Sequence, residues 1–344
     1  MAGRAKKTIK KSSIGKGIIL EDAWEEYITF KQTKVKKATI SSYESTYKRF
    51  SEYVGKDTKT KDIVESTIYA WVGDMKIDNM KKVSIDHFIK EIRVFLYWCM
   101  HETRKYIDPS FKVSETGGQE EETFDEKTYD EKELTAILQR PQNENDYVAW
   151  RTYTIINLVM DTGLRASSIV NILMRDVDLS TRDIYIRHTK NNKPFNVDIA
   201  PAFYNCLKEY IRDWRSDALP DDYLFVNEQE KFLTTRALRL AFMRYCKNRG
   251  VVRINPDAKH EKDRIVGRSN IHGLRHTFAK EWIVDGGNHF VLQDILGHSS
   301  LEQTRKYVKF YDKDRKVIHE RHSPLQNRKK NMGRRKTIQR NYGD

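Results

Sequence analysis

The chain has 344 residues, enough for about two globular units at roughly 150 residues each. Lys plus Arg number 63 against 49 for Asp plus Glu, a formal net charge of +14; residues 1–17 hold six basic and no acidic residues and residues 313–344 eleven basic and three acidic, so the two tails carry the whole excess. Basic extensions suit a polyanion, because Lys and Arg that neutralise phosphates release condensed counterions, while the lack of any apolar run near roughly 18 residues excludes a membrane span, and the basic start lacks the apolar stretch and cleavage site of a secretory signal.

Beyond the N-terminal tail, residues 18–108 read as helical, with apolar positions at three- and four-residue intervals. Tyr43, Tyr47 and Phe50 fall at i, i+4 and i+7, and Thr39 or Ser41 is the expected cap of that helix. Ile85 to Met100 reads as the buried helix of a small bundle, and most of the aromatic residues as core. Residues 109–133 change character, with Pro109, Gly117, Gly118 and nine acids against three bases, and read as a linker. From Leu134 the pattern is helical again through Met160. Asp176 to Leu179 breaks it, and Asp183 to Lys190 then alternates at period two. Asn191, Asn192 and Lys193 supply a turn, and Phe195 to Ile199 alternates on the return, which predicts a β-hairpin with Lys190 beside its turn. The rest, Pro201 to Tyr311, reads mainly as helices separated by Pro220, Gly250 and Gly286-Gly287. The fold class expected is mainly α with a small antiparallel β-sheet.

Four pieces put a cation, a His or a Tyr in a defined local setting. Arg165 follows Thr162, Gly163 and Leu164, where a helix is expected to begin. Lys190 sits on the hairpin arm. In Ile271-His272-Gly273-Leu274-Arg275-His276, His272 and Arg275 at i and i+3 share a helix face, with Leu274 and Phe278 opposite them toward the core. An exposed His–Arg pair makes sense facing an anion. His298, in Leu296-Gly297-His298-Ser299-Ser300, precedes a capping box formed by Ser299 and Glu302, so it is placed at a helix N-terminus, where anions are favoured. Tyr307 follows nine residues later. The three histidines lack HExxH spacing and nearby Cys ligands, and the three cysteines, Cys99, Cys206 and Cys246, lack CxxC spacing. Neither a metal site nor a disulfide framework is expected.

In order and approximate separation, Thr-Gly-Leu-Arg165, Lys190 in a hairpin, His272-Gly-Leu-Arg275-His, Leu-Gly-His298-Ser-Ser and Tyr307 resemble the motifs of the tyrosine recombinases, the integrase family. The resemblance implies that Tyr307 is the nucleophile on a DNA phosphodiester, leaving a 3′-phosphotyrosine and a free 5′-hydroxyl. Arg165 and Arg275 would hold the non-bridging oxygens, Lys190 would protonate the departing 5′-oxygen, His272 would handle the tyrosine proton, and His298 would donate a hydrogen bond to the phosphate. It also implies a helical core-binding domain at 18–108, an acidic linker at 109–133, a catalytic domain at 134–312 and a basic tail at 313–344. The partners implied are duplex DNA with specific sites, a homotetramer on two such sites passing through a Holliday junction, and an accessory DNA-bending or directionality factor. No cofactor and no metal are called for, and the setting implied is the cytoplasm of a prokaryote, on the DNA of a mobile element.

Two departures stand out. Ser168 occupies the position three after Arg165 where the family usually has an acid, and Tyr311 lies one turn beyond Tyr307 as a rival nucleophile. Lys193 is likewise the runner-up to Lys190. Lys36, Lys37, Thr39 and Lys48 are the candidate DNA contacts of the helical domain. The alternatives to site-specific recombination are a type IB topoisomerase-like relaxing activity with the same chemistry, and a DNA-binding protein without catalysis.

Overall fold

The computed structural model describes residues 17–101, 103–108, 110–112, 128–189, 193–254, 264–267, 270–297 and 319. The chain divides into two compact units, residues 1–121 and 122–344.

In the first unit, α1 (Leu20–Gln32), α2 (Lys37–Val54), α3 (Glu65–Ile77) and α4 (Lys82–Met100) enclose an aromatic core. Trp24 stacks flat on Tyr47 at 4.1 Å between ring centroids and meets the Phe95 ring edge-on, while Phe50 meets Trp71 edge-on at 5.0 Å. These geometries add directional preference to the burial of large rings. Glu91 of α4 accepts hydrogen bonds from Ser42 at 2.7 Å and from Thr46, so one carboxylate ties α2 to α4. Thr60, fully buried, accepts from the Ile18 amide at 3.1 Å and donates to the Tyr106 carbonyl at 2.9 Å, drawing the two ends of the unit together. The expected cap at Thr39 or Ser41 is corrected: α2 already begins at Lys37, and Lys36, in extended backbone, precedes it without a side-chain cap. The preceding turn, in which the Lys34 and Val35 amides donate to the Lys31 carbonyl, sets the entry instead.

The second unit is built on α6 (Tyr147–Thr162), whose Ile155, Ile156, Leu158 and Val159 are buried. Packed on it are α8 (Pro201–Trp214), α9 (Thr235–Asn248) and α10 (Ile271–Val284). Shorter helices α5 (Glu131–Ile137), α7 (Ala166–Ile169) and α11 (His289–Leu296) fill the connections. A three-stranded antiparallel sheet runs in the order β1 (Val177–Asp178), β2 (Asp183–Ile186), β3 (Phe195–Asp198). Ile184 pairs with Val197 and Ile186 with Phe195, so Ile184, Ile186 and Val197 bury one side, as the alternation predicts.

Three boundaries differ from the sequence reading. Helix α5 begins at Glu131, three residues before Leu134, because Asp130 and Glu133 form a reciprocal capping box, the Glu133 amide donating to Asp130 at 2.8 Å and the Asp130 amide to Glu133 at 3.0 Å. Those acids look like linker composition but start a helix. The stretch read as a break at Asp176 to Leu179 contains strand β1, pairing Val177 with Ile184. Finally, β4 (Val252–Ile254) and β5 (Ile265–Gly267) form a second, two-stranded sheet in a region read as helical. Ile265 and Val266 are both exposed, so no buried alternation announces them.

Candidate active site

Helix α6 ends at Gly163, which adopts a left-handed conformation (φ +63°) and donates its amide to the Val159 carbonyl at 2.8 Å. A Cβ there would stand 2.6 Å from a Phe278 ring carbon and 2.7 Å from a Leu296 methyl, so both the backbone and the space require glycine. Gly163 therefore closes one helix and does not open the next, correcting the sequence reading. Leu164 is buried, and Arg165, in extended backbone, precedes α7.

Helix α10 is capped by Asn270, whose side chain accepts from the Gly273 amide at 3.2 Å. Leu274, Phe278 and Ala279 pack into the unit. Arg275 does so as well, at 2% exposure, which corrects the expectation of an exposed His–Arg face. Its two terminal nitrogens donate to the Gly163 carbonyl and to the Leu296 carbonyl, each at 2.7 Å. Arg165 Nη1 donates to that same Leu296 oxygen at 3.2 Å. Two guanidinium groups, 110 positions apart in sequence, thus meet on one main-chain acceptor. A carbonyl orients a guanidinium without neutralising it, so this joint positions two cations while leaving each its charge.

Leu296 is the last residue of α11, which Asn288 caps by accepting from the Phe290 amide at 2.8 Å, and Gly297 ends it in the left-handed region (φ +58°). Sequence reasoning missed the role of this carbonyl, yet the pair Gly163 and Gly297, each just past an apolar helical run, was its available signal. The start of the unit is sewn to α10 as well. Thr277 accepts from the Tyr129 amide at 2.9 Å, and the Tyr129 hydroxyl donates to the Asn270 carbonyl at 3.2 Å.

His272 keeps an exposed edge and meets His276 edge-on at 4.5 Å. The protein mass around its ring disfavours the imidazolium, and the Arg275 and Arg165 cations disfavour it further, so its pKa is pushed down from 6.5 to about 4. At neutral pH the ring is neutral and able to accept a proton. Ser168 is buried, its amide donating to the Arg165 carbonyl at 2.9 Å. Asp161, the acid nearest Arg165 in sequence, accepts the Ala200 amide at 3.0 Å before α8, and burial raises its pKa.

At the hairpin, Arg187 Nε donates to Asp176 Oδ1 at 2.5 Å, and the other oxygen of that buried carboxylate accepts the Leu173 amide at 3.1 Å. The Thr189 hydroxyl donates to the Lys193 carbonyl at 3.0 Å and accepts the Lys193 amide at 2.9 Å. Lys193 itself is exposed.

Lys190, His298, Tyr307 and Tyr311, together with the Ser299–Glu302 capping box, lie outside the described residues. Of the candidate DNA contacts, Lys36 and Lys37 stand exposed at the start of α2, Thr39 is half-buried in its first turn, and Lys48 is exposed farther along. Among the described residues no group of three or more His, Cys, Asp or Glu is placed to hold a metal ion, and no helix is long and apolar enough to cross a membrane.

Residues 127–314, more than half of the chain, match the phage integrase family. The chain belongs to that family, the tyrosine-type site-specific recombinases. Tyrosine recombinase XerC of Chlamydia caviae is 28% identical over 268 residues, covering 77% of this chain and 78% of the relative. XerC of Listeria monocytogenes is 24% identical over 291 residues, covering 83% and 91%. Among solved structures, the Tn1549 transposon integrase in complex with transposon right end DNA matches with a TM-score of 0.67 at 18% identity, covering 89% of this chain and all of that one (100%). A lambda integrase tetramer bound to a Holliday junction matches with a TM-score of 0.63 at 15% identity, covering 85% and 78%. At these identities the structural likeness is one of fold.

Proposed function

We propose that this recombinase cuts and rejoins duplex DNA at specific sites through a tyrosine-linked intermediate, with Arg165 and Arg275 as the phosphate clamp. The observation that carries the reading is the convergence of both guanidiniums on the Leu296 carbonyl, with His272 on the same helix as Arg275. The Tyr307 oxygen bonds to phosphorus while the bond from phosphorus to the 5′-oxygen breaks. Neutral His272 takes the tyrosine proton, the Lys190 ammonium gives its proton to the 5′-oxygen, and His298 donates to a non-bridging oxygen. The guanidiniums stabilise the charge that builds on the pentacoordinate phosphorus. The covalent link stores the energy of the broken bond, so attack by a 5′-hydroxyl rejoins the strands without ATP.

The assembly in this reading is four protomers on two DNA sites exchanging strands through a Holliday junction, joined by a DNA-bending or directionality factor where the direction is controlled. The first unit contributes Lys36, Lys37, Thr39 and Lys48 to the DNA, mostly at phosphates. The sites belong to a mobile element or to the chromosome that carries it.

The test is covalent trapping on a nicked duplex that carries the recombination site, obtained by selecting bound duplexes from a random pool. Wild type and Tyr311→Phe are expected to form a denaturation-resistant adduct and Tyr307→Phe none, while all three bind the duplex equally. An adduct that survives Tyr307→Phe would remove the nucleophile assignment.

A further inference from the structure

The arm that carries Lys190 is fastened at two levels. At its root, Arg187 is held by the buried carboxylate of Asp176, which also takes the Leu173 amide. At its neck stands Thr189. The ladder of the hairpin ends at the pair Ile186 and Phe195, so Thr189 and Lys193 lie beyond the last strand pair. There the Thr189 hydroxyl alone makes both bonds, donating at 3.0 Å to the Lys193 carbonyl and accepting its amide at 2.9 Å. One side chain thereby does what a pair of ladder hydrogen bonds does within a sheet. The β-branched Thr side chain has restricted χ1 freedom, which favours holding its hydroxyl in place for both.

The segment bracketed by this clasp is Lys190 to Asn192, and Lys190 is bonded directly to Thr189. A residue whose backbone and side chain are held fixed sets the starting point of the residue bonded to it, and that ordering need not be repeated in the reaction. We infer that Thr189 is a positioning residue for Lys190, holding the stem of the leaving-group acid through its clasp on the Lys193 main chain. The inference rests on Lys190 being that acid. It also separates the two lysines: Lys190 lies inside the clasped segment, whereas Lys193 serves the clasp through its main chain.

The chemistry supplies a test that a merely structural role would not pass. In the ordinary substrate, the bond from phosphorus to the 5′-oxygen breaks as the tyrosine oxygen bonds to phosphorus, and the oxygen leaves with a proton from Lys190. If sulfur replaces that bridging oxygen, the group departs as a thiolate and needs no proton, so the acid becomes dispensable. Adduct formation is measured on both substrates with the full chain, as wild type, Lys190→Ala, Thr189→Val and Thr189→Ser. Valine keeps the branched shape and removes both hydrogen bonds; serine keeps the hydroxyl.

Lys190→Ala is expected to lose about 10²–10⁴-fold on the oxygen substrate and to approach wild type on the sulfur substrate. Thr189→Val is expected to lose about 10–100-fold on oxygen, the scale of a misplacement near 1 Å, and to recover on sulfur in the same way. Thr189→Ser is expected to stay near wild type on both. A Thr189→Val loss of equal size on the two substrates, or no loss on either, would overturn the inference while leaving Lys190 as the acid. Failure of sulfur to rescue Lys190→Ala would overturn the assignment of Lys190 and the inference with it.

Discussion

Among the described residues the first unit buries no charged side chain, whereas the second buries Arg151, Arg215 and Arg275 together with Asp176. The first is held by ring packing around Trp24, Tyr47, Phe50, Trp71 and Phe95. In the second, each buried arginine reaches a main-chain carbonyl outside its own helix: Arg151 that of Val226 at 2.5 Å, Arg215 that of Tyr223 at 3.1 Å, and Arg275 those of Gly163 and Leu296. Taking a guanidinium out of water is costly, and its donors must then find acceptors. The second unit spends part of its folding free energy on holding cations in place, and the first does not. The lesson is that one helical architecture serves two ends, burial for its own sake and burial that presents charge.

The largest effect that separates these roles is expected at Arg275. Arg275→Lys removes the planar fork that spans two carbonyls, and adduct formation should fall about 10²–10³-fold. Arg151→Lys, equally buried but placed at the other end of α6, should lower the melting temperature while the rate per folded molecule stays within about threefold of wild type. Comparable rate losses in both variants would erase the distinction between presenting charge and merely burying it.

In the first unit the corresponding break is Trp71→Ala, expected to cost about 3–5 kcal/mol in urea unfolding, as loss of a fully buried large ring does. A cost below about 1 kcal/mol would mean that the aromatic core is not what holds that unit. The smallest effect concerns pH. The folded His272 ring takes its proton only near pH 4 and the unfolded one near 6.5. Between those values the unfolded state binds more protons, so this group's contribution to stability is present above pH 6.5 and is lost as pH falls through the window. His272→Gln should flatten the decline of stability between pH 6.5 and 4, and a ring titration in the wild type should centre well below 6.5. A titration at or above 6.5 would show that neither the burial of the ring nor the two arginines beside it disfavour the imidazolium.

Where one physical rule dominates, the sequence was readable. The run from Ile85 to Met100 falls within α4, and period-two alternation placed Ile184, Ile186 and Val197 on the buried side of the hairpin. The i, i+3 rule put His272 and Arg275 on a common face but could not say that the face lies against Gly163 and Leu296, since those neighbours arrive from other segments. Local chemistry also has more than one reading. Asp130 and Glu133 have the composition of a solvated linker and the spacing of a capping box, and only the helix that follows decides between them. The short β4–β5 pair lacks alternation because its exposed Ile265 and Val266 adjoin one another, and it carries no signal that pattern alone can recover.

Because the acceptor shared by Arg165 and Arg275 belongs to the main chain, exchanging the Leu296 side chain does not remove that oxygen. The alignment of the two cations therefore answers to the peptide bond between Leu296 and Gly297, and to the Leu296 side chain only through the packing that holds that bond in place. Replacing that amide by an ester, which makes the carbonyl a poorer acceptor, would loosen both guanidiniums with a single atomic change.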